Sequence, residues 1–190
     1  MSAMVDVPTE PDLAAAFRRG DDSAFDRIVE RHSAEVAALA NRLLGWPGEV
    51  DDVVQEVFMA AFLGLRKFRG DCRLRTWLFT ITVNKCRSWR FRKRRPLSLT
   101  SVDDPEAIAG SDPSGDKAAM DRETFARVRR TVQGLPRKYR EAIVLKYLQG
   151  FETSEVCELL GLTVNAMEVR LNRARARLRK ELGDLFEEKS

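Results

Sequence analysis

Three cysteines and one histidine in 190 residues leave little room for metal or disulfide chemistry. Cys72, Cys86 and Cys157 are odd in number, widely spaced and free of any CxxC pair, so with His32 they build neither a zinc site nor a disulfide framework. They read as small core hydrophobes in a reducing compartment. No apolar run approaches the roughly 18 residues needed to cross a bilayer, and the acidic N-terminus lacks a signal-peptide pattern. The expectation is a soluble, cytoplasmic protein. No glycine-rich phosphate loop is present, so no nucleotide or other cofactor is expected.

What the chain has in quantity is charge, at 33% of residues, and it is unevenly placed. Arg87 to Arg95 holds six basic residues and no acid, and so does Arg170 to Lys180. Between Val102 and Asp121 the sign reverses: Asp103, Asp104, Glu106, Asp112, Asp116 and Asp121 face a single Lys117. Two basic clusters flanking an acidic stretch suggest two polyanion-binding surfaces, against the plainer alternative of solvated helix faces.

The hydrophobic periodicity is helical nearly throughout, and no alternating strand pattern survives. A short helix opens on a capping-box pattern at Thr9 to Asp12 and closes at Gly20. A longer one follows Asp22, with Phe25, Ile28, Val29, His32, Val36, Leu39 and Leu43 as its apolar stripe, and stops at Gly45 and Pro47. His32 in that stripe is expected to be a packed histidine. Further helices are predicted over about 49–67 and 73–92, then 118–133, 136–149, 154–160 and 163–187, while 96–117 has a linker's composition. The fold class is therefore all-α: two small helical domains, 10–95 and 118–187, joined by a flexible acidic linker, 96–117.

Near the C-terminus, a helix, the turn Gly161-Leu162-Thr163 and a second helix make a helix-turn-helix. Thr163 suits the N-cap, and Val164, Met167, Leu171, Ala174, Leu178 and Leu182 fall on the side to be buried. The opposite side carries Asn165, Ala166, Val169, Asn172, Arg173 and Arg177, with Glu168 on its flank. Amides and guanidinium groups suit base edges, and arginine suits phosphate. The 73–92 helix buries Leu78, Phe79, Thr82, Val83, Cys86 and Trp89 and turns Trp77, Thr80, Asn84, Arg87, Ser88 and Phe91 outward. Aromatics around hydrogen-bonding and basic residues suit unstacked bases, although Trp77 can equally pack under a neighbouring helix. The 49–67 helix has a core stripe of Val50, Val54, Val57, Phe58, Ala61 and Leu65. Its outward side shows Asp52, Gln55, Glu56, Met59 and Leu63, and an exposed Met and Leu among acids fit a protein partner. Asp51 and Asp52 also suit the helix dipole.

The order of these segments resembles the extracytoplasmic-function sigma factors of bacterial RNA polymerase, over about Leu13 to Leu182. "DDVVQEVFMAAF" (51–62) is similar to the family's core-binding helix. "FRGDCRLRTWLFTITVNKCRSWRFRKRR" (68–95) is similar to its promoter-melting and −10-reading segment. "LPRKYREAIVLKYLQGFETSEVCELLGLTVNAMEVRLNRARARLRKEL" (135–182) is similar to its −35-binding domain. The resemblance implies that Asp51, Asp52, Gln55, Glu56, Met59 and Leu63 meet a coiled coil of the polymerase β′ subunit, within a core that also contains β. It implies that the loop with Arg69, Gly70 and Asp71, together with Trp77, Asn84, Arg87, Ser88 and Phe91, holds the −10 strand. Thr163, Asn165, Ala166, Glu168, Val169, Asn172, Arg173 and Arg177 would then face the −35 groove. An anti-sigma factor controls many members of the family. Many relatives begin the recognition helix with Gly-Thr-Val-Lys/Arg-Ser where this chain has Asn165-Ala166-Met167-Glu168-Val169, so no −35 sequence carries over. Two other classes stand as alternatives: an autonomous helix-turn-helix regulator, and a nuclease or helicase, whose converging carboxylates or phosphate loop the sequence does not display.

Overall fold

The computed structural model describes residues 9–45, 50–94 and 116–183, and the side chains of all of these except 93, 94 and 116–121. In chain order the helices are α1 (Glu10–Arg18), α2 (Ser23–Leu44), α3 (Val50–Leu65), α4 (Leu74–Arg94), α5 (Asp116–Gly134), α6 (Arg137–Ile143), α7 (Thr153–Leu160) and α8 (Val164–Leu182). A π-helical turn, Val144–Leu148, continues α6 where an ordinary helix to 149 was expected. The linker reading falls mostly on residues 95–115, outside the described residues, and so does the predicted end of the last helix beyond 183.

The helices start and stop for local reasons. The Asp12 carboxylate accepts from the Thr9 backbone N–H at 3.0 Å, opening α1. Gly45, with φ +80°, ends α2 in the left-handed conformation that favours glycine, with the Gln133 side chain packed close against it. Helices α1 to α4 pack on one another, and α8 is packed by α5, α6 and α7. Phe17, Ile28, Leu39, Val53, Leu65, Leu78 and Phe79 are fully buried among the first four helices. Met167 and Ala174 anchor α8 in the same way. Burying a side chain of this size contributes about 1.5–3 kcal/mol.

The two helical groups also meet, around the C-terminal end of α2. The last carbonyls of any helix lack intrahelical partners and carry its negative dipole end. Here cationic and amide groups from both groups fill that role. Arg90 of α4 donates to the Leu43 and Leu44 carbonyls at 2.9 and 2.8 Å. Arg140 of α6 donates to the Leu43 carbonyl at 2.8 Å, and the Gln133 amide of α5 donates to Arg42 at 2.9 Å. Phe151 packs on Phe79 with ring centroids 5.3 Å apart, and the Arg75 guanidinium lies over both rings. Arg75 also reaches Glu35 at 3.0 Å.

Some core assignments need correcting, Val54 and Val164 among them. Val53 of α3 is fully buried and Val54 only half-buried, because α3 is enclosed by α2 and α4 together and its buried face is wider than one stripe. Val164, expected on the buried side of α8, is 55% exposed, since it occupies the first helical turn, beyond the reach of the packed face.

Candidate nucleic-acid and polymerase interfaces

The outer face of α3 is a row of unpartnered side chains beside acids. Asp51, Asp52 and Gln55 are exposed, and Met59 and Leu63 are 61% and 71% exposed. Glu56 departs from the sequence reading. It is half-buried and turned to α4, where Arg92 and Lys85 pair with it at 2.7 and 3.5 Å, because the basic end of α4 passes alongside. Between the two helices Asp52, Gln55, Glu56, Trp89 and Arg92 line an open groove of about 460 Å³. Phe62 belongs to this face too: it remains part-exposed while its ring edge meets Phe17 and Phe25 at 5.2 and 5.1 Å. Its spacing of three from Met59 was the available signal.

The second surface runs along α4 and the loop before it. Arg69, Gly70 and Asp71 are exposed, and Arg69 and Gly70 line a cavity of about 560 Å³ closed on its other side by Glu10, Pro11 and Ala14 of α1. The Arg18 guanidinium donates to the Phe68 carbonyl at 3.3 Å and ties α1 to that loop. Asn84 and Ser88 are exposed, and Phe91 is 69% exposed. Trp77, placed by sequence among the base-facing residues, is half-buried instead: it leans on Phe68 at 5.1 Å and lies close against Gly64. The small residue on α3 admits the indole, so the packing alternative describes its position. Trp89, expected in the core, is likewise half-buried.

Arg87 is engaged in a way the sequence did not disclose. Its Nε and a terminal nitrogen donate to the two carboxylate oxygens of Glu141 on α6, at 3.0 and 2.8 Å. Glu141 is 4% exposed, and its hydrogen bonds push the Arg87 pKa further up. The fork geometry that would grip a phosphate therefore grips a carboxylate.

The third surface is α8. Gly161, with φ +66°, makes the turn, and the Thr163 hydroxyl accepts from the Ala166 N–H at 3.2 Å as the N-cap. Met167, Leu171 and Ala174 are buried, while Asn165, Glu168, Val169, Asn172, Arg173 and Arg177 are exposed. Ala166 is half-buried beside the cap. Asn172 accepts a hydrogen bond from Arg175 at 3.1 Å, which holds its amide in a defined orientation.

Residues 28–96 match the family model for sigma-70 region 2, and residues 125–178 match that for sigma-70 region 4. The chain is 38% identical over 173 residues to the RNA polymerase sigma factor CnrH of Cupriavidus metallidurans, covering 87% of this chain and 90% of that one. It is 33% identical over 174 residues to the ECF RNA polymerase sigma-E factor of Escherichia coli K12, covering 88% and 91%. The chain belongs to the extracytoplasmic-function sigma factors. The sigma factor is also similar to a solved structure of CnrH in complex with the cytosolic domain of CnrY, with TM-score 0.66, 34% identity and coverage of 95% and 99%. As a sigma factor it directs RNA polymerase to promoters and is not an enzyme, and the region 2 match does not favour an autonomous helix-turn-helix regulator. No described helix of the sigma factor is long and apolar enough to cross a membrane.

Proposed function

We propose that the three surfaces divide promoter recognition among them. Residues 10–95 seat the sigma factor on core polymerase and capture the −10 strand, residues 118–187 bind the −35 element, and residues 96–117 connect the two. Asp51, Asp52, Gln55, Met59 and Leu63 meet the β′ subunit, with Glu56 holding α4 in place beside them. The 69–71 loop receives an extruded base, and Asn84, Arg87, Ser88 and Phe91 line the path of the non-template strand. Flipping a base out costs a few kcal/mol, and a pocket of about 560 Å³ beside the strand path offsets part of that. On α8, Asn165, Val169 and Asn172 face base edges and Arg173 and Arg177 face phosphate.

The observation that carries the reading is the two-sidedness of α8: a capped helix after a left-handed glycine turn, apolar where it packs and amide- and arginine-rich where it does not. The work is cytoplasmic, where polymerase is, and an anti-sigma protein is a fitting regulator, since the similar CnrH is itself found in complex with the cytosolic domain of another protein, CnrY. Run-off transcription with purified core polymerase on a library of genomic fragments tests the whole assignment. Discrete transcripts are expected only when the sigma factor is added. An output identical with and without it refutes the reading.

A further inference from the structure

Among the described residues, the cavity of about 560 Å³ beside the 69–71 loop has a single carboxylate in its lining. That acid is Glu10, the first residue of α1. Its side chain is 28% exposed, and the buried His32 ring of α2 stands with Nε2 3.3 Å from one of its oxygens. The carboxylate is therefore set at the junction of α1 and α2 and does not range freely into water. A carboxylate accepts at two oxygens through about four lone-pair sites, so a neighbour at one oxygen leaves acceptor capacity for a ligand in the cavity. Apolar side chains such as Phe68 and Leu74 share the lining with the exposed Arg18, Arg69 and Arg73. An acid that faces single-stranded DNA is repelled by its phosphates, and three exposed guanidinium groups in the same lining lower that cost.

We propose that Glu10 is a specificity-determining residue of this pocket: its carboxylate accepts a hydrogen bond from the exocyclic amino group of the extruded base, so adenine, cytosine and guanine are admitted and thymine is refused. The inference rests on the reading of the cavity as the pocket for a flipped base, and adds the chemistry that selects the base. An extruded base is read on its Watson–Crick edge. Thymine presents two carbonyl oxygens there, flanking one N–H, and a carboxylate repels those oxygens. Each of the other three bases presents an amino group, the donor that an acceptor-only anion requires. Glu10 precedes residues 28–96, the part matched by the region 2 model, so α1 of this chain adds the selection to the shared domain. The plainer role for an acid at this position is as a partner of the α1 dipole.

The test uses holoenzyme, made with core polymerase, and fork-junction DNA whose single-stranded non-template −10 overhang is randomised. Bound and input sequences are compared. Thymine is expected to be depleted about 10-fold or more at one position, the effect of one hydrogen bond to a charged group. At that position the preferred base is then replaced by its analogue without the amino group: purine for adenine, pyrimidinone for cytosine, hypoxanthine for guanine. The loss is expected to match the thymine penalty in wild type and to vanish in Glu10→Ala. Glu10→Gln keeps the size but adds a donor, and is expected to admit thymine with the other bases. Thymine accepted at every position by wild type, thymine discrimination left unchanged by both variants, or an amino-group effect that persists in Glu10→Ala overturns the proposal. An even loss of affinity across all positions in both variants also overturns it and assigns Glu10 to the α1 dipole. A fluorescent aminopurine, which brightens on leaving the base stack, separates the levels. If it brightens at one overhang position while amino-group removal there costs nothing, only the role of Glu10 falls. If it brightens at none, the reading of the cavity as a base pocket falls and takes Glu10 with it.

Discussion

Removing the Glu141 carboxylate should strengthen the free sigma factor's grip on single-stranded −10 DNA. Arg87 makes two hydrogen bonds to Glu141, at 3.0 and 2.8 Å, in a fork on a carboxylate whose residue is 4% exposed. Hydrogen bonds to charged groups contribute roughly 1.5–3 kcal/mol. The Arg87 side chain is still 29% exposed and can turn to water when released, so the penalty of a stranded buried charge does not apply. About 2 kcal/mol is therefore a fair value for the pair. If that pairing competes with the strand for Arg87, apparent affinity is reduced by the fraction of molecules in which Arg87 is free. Breaking the pair then raises affinity by at most about 30-fold, at 1.4 kcal/mol per factor of ten. The Arg140, Gln133 and Phe151 contacts remain and keep the helical groups together, so the lower part of the range from about 3- to 30-fold is expected for Glu141→Ala. Fluorescence anisotropy of a labelled non-template −10 oligonucleotide reads this directly, with Arg87→Ala as the control that loses affinity. An unchanged or weakened affinity for Glu141→Ala would refute the competition between Glu141 and DNA.

Three further outcomes follow from the other surfaces. Met59→Asp with Leu63→Asp should abolish co-purification with core polymerase while the melting temperature holds, because exposed substitutions usually stay within about 0.5 kcal/mol; retained binding would discredit the α3 face. Burial keeps the His32 pKa below 6.5, against the opposing pull of Glu10 and Glu35. The unfolded chain therefore binds more protons just under that pH, so stability should fall as pH drops below 6.5. His32→Gln should flatten that slope in urea titrations, and a slope equal to wild type would show that other groups carry it. Glu168→Ala should collapse preference at one −35 base pair if the carboxylate accepts from a cytosine amino group; an even rise in affinity across all variants would instead mark it as a partner of the helix dipole.

The helices were readable because their signals are local. The Thr9–Asp12 box, the Gly45 stop, the Gly161 turn and the Thr163 cap each act within four residues, and each stands where the sequence put it. The buried stripe of α2 was equally plain, since period 3.6 shows directly which side is packed. What failed was anything that depended on a neighbour. Val54 gave way to Val53 because α3 is packed from two sides, and the sequence left Trp77 evenly between base-facing and packed positions, while Gly64 on another helix leaves room for the half-buried indole. Glu56 reads as a partner-facing acid on its own helix, yet it meets Arg92, 36 positions further on. Val164 shows the opposite failure, where periodicity promised packing and the helix end supplied none.

The contact between the helical groups was the least legible feature, and its chemistry explains why it bears on function. A guanidinium recognises a planar or tetrahedral oxyanion by the same fork of N–H donors, whether the oxygens belong to a carboxylate or a phosphate. Glu141 lies 54 positions from Arg87, and nothing in the spacing of either residue announces the pair. Once paired, the carboxylate occupies the donors that DNA would need, so under the proposed function Arg87 serves closure or strand capture but not both at once. The neighbouring contacts have no such conflict. Arg140 and Gln133 bind carbonyls at the end of α2, which lies outside the surfaces proposed to face DNA. The Phe79 and Phe151 rings bury each other in the same way. If α4 contacts DNA as proposed, the cost of doing so in this closed arrangement lies largely in the Arg87–Glu141 pair, which the Glu141 substitution removes together with the longer Arg137 contact at 3.7 Å.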